Sequence, residues 1–213
     1  MLIDIHVHTC ISACSRLELD EILEHAANFG LDGVCITDHH SVQALERITP
    51  GLQPNGLRLF VGQEYSSDDG DFLIFGPLTS LPEGLSAQAL LSTVAHQGGA
   101  AVAAHPFRPR RPLSEFVIRD GLCRIVESIN GRDSAAANQG IEQWRRKYDL
   151  IECGGSDAHT LAELGKVKTR FHVPINTTNQ LVRALNSGLC SPHRKAANLP
   201  APEQERSGRS CLI

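Results

Sequence analysis

The chain has 213 residues, 41% hydrophobic and 21% charged, which is enough apolar material for one packed core and excludes global disorder. Lys and Arg number 20 against 24 Asp and Glu, a net charge of −4, and with no basic tract the composition argues against duplex nucleic acid as a partner. No apolar run approaches the roughly 18 residues of a membrane span, and an acid stands at position 4 where a secretion signal carries bases, so the expectation is a cytoplasmic chain away from membranes.

Residues 2–8 read as a strand, and Leu17–Phe29 as an amphipathic helix stopped by Gly30. The short apolar run Gly33–Thr37 reads as a buried strand. A helix from Val42 to Ile48 ends before Pro50, and Leu57–Glu64 and Phe72–Phe75 are further strands. Ser86–His96 is helical up to Gly98. Strands follow at 100–104, 125–129, 150–154 and 169–175, with helices at Ala135–Lys147 and Thr178–Asn186. This alternation predicts an α/β fold, a parallel sheet or barrel, over residues 1–190. From about 191 the composition shifts to Pro, Ala, Arg, Glu and Ser, which predicts a disordered tail over 191–213.

The chemistry gathers at the ends of these strands. In the first, Asp4, His6 and His8 share one face and Ile3, Ile5 and Val7 the other, so two imidazoles aim at one point. Later apolar runs deliver Asp38 and His39, then Glu64, His105, Glu127, and Asp157 with His159. In parallel α/β folds the C-terminal strand edge is where ligands bind. One polar residue at a strand end is ordinary; five such sites beside an HxH clamp point to a metal centre. The seven cysteines, scattered and odd in number, read as reduced thiols.

The motifs DIHVHT (4–9), ITDHH (36–40), GQEYS (62–66), AAHPF (103–107), VESINGR (126–132) and GGSDAH (154–159) together resemble the PHP domain, named from polymerase and histidinol phosphatase. The resemblance covers about the first 190 residues. It implies a distorted seven-stranded (β/α) barrel with a cluster of two to three divalent ions, Zn, Mn or Fe, at its mouth. His6, His8, Glu64 and Asp157 would hold one metal. Glu64 would bridge to a second held by His105 and Glu127, and His39 and His159 would hold a third. One position departs from the pattern: Ala13 stands where many members carry an Asp ligand, and Cys14 is either a substitute ligand or a buried structural thiol.

The implied activity is a phosphoesterase acting on a small phosphomonoester or a nucleotide, with metal-activated water attacking phosphorus. Asp157 and His159 are the residues placed to orient that water or relay a proton. Arg108 and Arg132, just past metal-ligand positions, are the candidate guanidinium forks for the substrate phosphate. Two alternatives stay within the fold: a 3′–5′ exonuclease-like diesterase on short oligonucleotides, and a degenerate, non-catalytic scaffold. Two lie outside the family. A metal-dependent amidohydrolase shares the HxH strand but fits the other motifs less well. A cysteine phosphatase would use Cys10 and Arg16, which form a C-x5-R spacing, but the loop lacks glycine and Thr9 stands where such enzymes carry His.

Overall fold

The computed structural model describes residues 1–77 and 81–194. Strand β1 (Leu2–Val7) leads to α1 (Leu19–His25), which tightens into a 3-10 turn over Ala26–Phe29. Gly30 ends it at φ 69°, left-handed backbone that glycine reaches without a Cβ clash. Next come β2 (Gly33–Ile36), β3 (Gly51–Leu52) and β4 (Arg58–Val61). The helix expected at 42–48 is only a 3-10 turn over Gln43–Glu46.

The single strand expected at 57–64 is two. It breaks at Gly62, where an added Cβ would lie 2.4 Å from the Ile74 carbonyl oxygen. There the chain passes from one sheet to the other and opens β5 (Gln63–Ser67), which folds back as a hairpin on β6 (Gly70–Phe75). Helix α2 (Ala87–His96) is capped by the Ser86 hydroxyl, which accepts the Ala89 N–H. It precedes β7 (Ala100–Ala103), the short α3 (Phe116–Arg119) and β8 (Ile125–Asn130).

The helix expected at 135–147 is split into α4 (Ala135–Gln139) and α5 (Ile141–Arg145). Gly140 lies between them, and a Cβ there would strike the Phe107 ring at 2.5 Å. The chain continues through β9 (Ile151–Gly155), β10 (Val167–Phe171), α6 (Thr178–Asn186) and β11 (Cys190–Arg194). Residues 191–194, assigned to the tail from composition, belong to this last strand; the rest of that predicted tail, 195–213, lies outside the described residues.

The strands form two mixed sheets, ordered β11-β10-β1-β2-β4-β3 and β5-β6-β7-β8-β9. β1, β2 and β4 run parallel, as do β7, β8 and β9; the other pairings are antiparallel. The α/β class is therefore as expected, but ladder pairing among the described residues does not close the seven-stranded ring. The sheets meet instead through two isolated bridges, Val7 with Ala158 and His39 with Glu64. Both bridges bring metal-ligand candidates together.

Three apolar clusters build the core. Leu181 and Leu185 of α6 pack with Phe75 and Val102, Leu90 and Val94 of α2 with Ile74 and Val126, and Ile22 of α1 with Val34 and Ile36. Val7 joins the α1 cluster while Ile3 and Ile5 join that of α6, and the β1–β2 register shifts between Asp4 and Val7. This irregularity refines the single apolar face expected for β1. No described helix is long and apolar enough to cross a membrane. The six described cysteines are free thiols.

Candidate metal centre

Four donor atoms converge where the two sheets meet. Nε2 of His6 and Nε2 of His8 lie 3.1 Å apart. Oε2 of Glu64 is 3.4 and 3.1 Å from them, and Oδ1 of Asp157 is 3.5 and 3.4 Å away. Donors held about 2.0–2.1 Å from a tetrahedral ion lie about 3.3 Å from one another. The separations within His6, His8 and Asp157 fall near that spacing, and that group of three, like His6, Glu64 and His105, lies close enough together to hold one cation. Glu64 spans outward from them: Oε1 meets Nε2 of His105 at 2.9 Å, and Oε2 meets Nδ1 of His39 at 3.1 Å. His8, His39 and His159 form a further close group of three. The buried Nδ1 of His105 has no hydrogen-bond partner, an orphaned polar atom of the kind a bound ion or water satisfies.

The local chain explains these positions. Period-2 alternation puts His6 and His8 on one side of β1. Beyond β9, residues 156–158 pair with the end of β1: His8 N–H donates to the Ala158 carbonyl at 2.9 Å, and Ala158 N–H to that of His6 at 3.3 Å. Asp4 is buried and accepts the N–H groups of Ser156 and Gly165, so it anchors this turn. His105 and Asp157 have φ of 31° and 55°. Left-handed backbone in non-glycine residues costs about 1–3 kcal/mol and gathers at functional sites.

Glu127 stands behind His6. Its Oε1 lies 3.1 Å from Nδ1 of His6, and its Oε2 accepts the His105 N–H and the Asn130 amide. A carboxylate only accepts, so Nδ1 of His6 carries the proton and Nε2 is left to face a metal. Glu127 thus orients a ligand here, rather than joining the close donor groups. Asp38 holds no imidazole. It accepts from Thr9 N–H, Thr9 hydroxyl and Ser12 hydroxyl, and so ties down the loop after β1.

Burial and opposite charge compete throughout the cluster. Burial works against a charged His6, but Glu127, Asp157 and Glu64 outweigh it and hold its pKa well above the ordinary value. Burial likewise opposes ionisation of Asp157 and Glu64, yet their histidine neighbours, and Arg108 beside Asp157, hold both below the carboxylate range. His39 and His159 are pushed down, chiefly by burial. Asp4 is raised to about 6 by burial, which outweighs its hydrogen bonds.

The two arginines differ. Arg132 reaches the rim, with its side chain 42% exposed and Nη1 2.8 Å from Nδ1 of His159. Arg108 is drawn into the protein by Asp157, Asp133 and Asn130. Cys14 is exposed and stands outside the three close donor groups, which removes the buried-thiol reading. Sequence reasoning missed Asn130, which bonds Arg108, Glu127 and Asp157 at once. Its place inside the motif VESINGR was the available signal.

Cys10 does not have a nucleophile's surroundings. Its thiol donates to Glu18 at 3.1 Å, and that bond raises its pKa, whereas a reactive thiolate needs a lowered one. Cys10→Ser is therefore expected to keep phosphate release within about twofold of the unaltered chain, below the roughly 0.4 kcal/mol that twofold represents. A steady-state assay checks this, and loss to background would revive the thiol mechanism.

Known proteins share this fold. An uncharacterized protein of Methanocaldococcus jannaschii, MJ0417, is 29% identical over 179 residues, covering 80% of this chain and 70% of its own length. PsfC of Pseudomonas syringae superposes with a TM-score of 0.74 at 21% identity, covering 92% of this chain and 91% of that one. A two-domain protein of Bacteroides vulgatus containing a predicted PHP-like metal-dependent phosphoesterase superposes at 0.68 with 17% identity, covering 91% and 64%.

One comparison corrects an expectation. Endonuclease Q, in complex with a 27-mer duplex bearing an abasic lesion at its active site, shares the fold at a TM-score of 0.66 and 19% identity, covering 88% of this chain and 57% of that one. The exclusion of duplex nucleic acid does not stand. It rested on net charge averaged over the chain, whereas the local field of a cleft decides which anion enters. The pattern of the PHP domain matches residues 4–149 and that of the PHP-associated region residues 135–190. The chain belongs to the PHP family, whose members are metal-dependent hydrolases and phosphoesterases.

Proposed function

We propose that this chain is a hydrolase of phosphate ester bonds that works with two to three divalent ions, Zn, Mn or Fe, in the cytoplasm. The observation that carries this reading is a pair of donor groups that share His6, namely His6–His8–Asp157 and His6–Glu64–His105, each close enough together to hold one ion. His39 meets Glu64, and His159 joins His8 and His39. Glu127 orients His6, and Cys14 is exposed. Imidazole and carboxylate without thiolate suit these ions in open sites. When bound, the ions supply Lewis acidity and a water acidic enough to attack phosphorus near neutral pH.

The chain's own residues do the rest. Asp157 keeps one carboxylate oxygen toward the donors and orients what binds there. His159 meets Arg132 at Nδ1, which ties the substrate fork to the group it forms with His8 and His39. Arg132, beside His159 and half open to solvent, is the fork for the phosphoryl oxygens.

A small phosphomonoester or nucleotide fits this arrangement. A diester in a nucleic acid strand is the second reading, favoured by the likeness to endonuclease Q. Elemental analysis with a phosphate-release assay tests both. Two to three ions per chain are expected, with activity abolished by chelation and restored by Mn or Zn. p-Nitrophenyl phosphate reads the first specificity; bis-p-nitrophenyl phosphate and an abasic duplex read the second. Metal-free protein that stays inactive after every metal addition would favour the scaffold alternative and end the enzyme reading.

A further inference from the structure

The guanidinium of Arg108 sits among three acceptors. Nε donates to Oδ1 of Asp133 at 2.8 Å, and Nη2 donates to Oδ2 of Asp157 at 2.6 Å and to Oδ1 of Asn130 at 3.1 Å. Both carboxylates are buried, and the arginine side chain is only 28% exposed. The two oxygens of Asp157 are therefore divided. Oδ2 is taken by Arg108, and Oδ1 faces Nε2 of His6 and His8 at 3.5 and 3.4 Å. A carboxylate held by one oxygen cannot swing to chelate with both or turn out to solvent.

The same fork reaches a second ligand position. Asn130, fixed by Arg108 through Oδ1, donates its amide to Oε2 of Glu127 at 2.8 Å, and the other oxygen of Glu127 holds the His6 ring. Asn130 is itself fixed at its backbone by Asn138, which accepts its N–H and donates to its carbonyl. One arginine on the loop after β7 thus braces groups from the ends of β1, β8 and β9. Asp157 also carries left-handed backbone, so it needs such bracing to persist.

We propose that Arg108 is a positioning residue that sets the metal affinity of the His6–His8–Asp157 group, and is not the contact for substrate phosphate. The proposal rests on the metal-centre reading above. Partners that orient metal ligands are typically worth 10–100-fold in metal affinity or activity. A substrate contact would instead appear in KM.

The test titrates Zn and Mn into apo protein against a chromogenic chelator, for the unaltered chain, Arg108→Ala and Arg108→Lys, and then measures kcat and KM on p-nitrophenyl phosphate. Arg108→Ala is expected to weaken metal binding 10–100-fold and to lower kcat at limiting metal, with KM within about twofold and part of the rate restored by excess metal. Arg108→Lys keeps the charge but not the planar fork, and should fall between; it also serves if the alanine variant does not fold. Unchanged metal affinity with a tenfold rise in KM would overturn the proposal and return Arg108 to the substrate. An unaltered chain that binds neither metal would overturn the metal-centre reading itself, a result separate from equal binding by all three proteins, which would sink only the role of Arg108.

Discussion

Asp157→Asn is expected to lower hydrolysis about 10³-fold while leaving the apo protein folded. Asparagine keeps the shape of the side chain and tolerates the φ of 55° better than most residues. What it removes is the charge that faces His6 and His8 and pairs with Arg108. A neutral amide oxygen is a poor ligand for these ions, and losing about 4 kcal/mol of electrostatic stabilisation corresponds to roughly three powers of ten in rate. Stability should fall too in the absence of metal. His6, His8 and Arg108 keep the Asp157 carboxylate ionised against burial and the like charge of Glu64, so that charge stabilises the apo fold and an amide leaves Arg108 with a weaker partner. The apo thermal midpoint should fall, by roughly 2–4 °C for each kcal/mol lost, and the increase on adding Zn or Mn should shrink. Parallel calorimetry and phosphate-release assays read both effects. A variant with more than a tenth of full activity would sink the assignment of Asp157 as a ligand.

The parts of this site written in local pattern were legible in the chain. The alternation Asp4, His6, His8 against Ile3 and Ile5 needs only a strand, and each later donor follows an apolar run. What could not be read depends on partners distant in sequence. Gly62 breaks a strand because Ile74 and Phe75 return against it from the β5–β6 hairpin. Gly140 splits a helix because Phe107 packs there. Arg108 looks like a free loop arginine until Asp133, Asn130 and Asp157, up to 49 residues away, close around it. The same holds for Glu127, which reaches His6 across 121 residues. β11 was hidden by its composition: Pro192 reads as loop, yet the strand lies at the edge of its sheet, where a missing N–H is tolerated. Ligand types were thus local information, and their division into metal-facing and bracing roles was not.

Gly155→Ala should produce the largest loss of stability relative to the size of the change, and it tests how the two sheets set the site. A Cβ on Gly155 would stand 2.5 Å from Cβ of His6, 3.2 Å from its backbone nitrogen and 2.6 Å from Oε1 of Glu127. None of these can yield cheaply. His6 is wholly buried on β1, and Glu127 is held by both His6 and Asn130. Overpacking of this kind costs about 1–3 kcal/mol. For a chain of this size that lowers the thermal midpoint by roughly 2–4 °C per kcal/mol. Because the displaced groups are a ligand and its orienting partner, metal affinity should fall with stability. Gly98→Ala is the comparison: at φ 73° it carries backbone strain, of about 1–2 kcal/mol, but an added Cβ there meets nothing within 4 Å. It should lower the midpoint while leaving Zn and Mn affinity unchanged. If Gly155→Ala binds metal as tightly as Gly98→Ala, the spacing of His6 and Glu127 is not set by the close passage of β9 against β1. The donors would then owe their positions to the ions rather than to the fold.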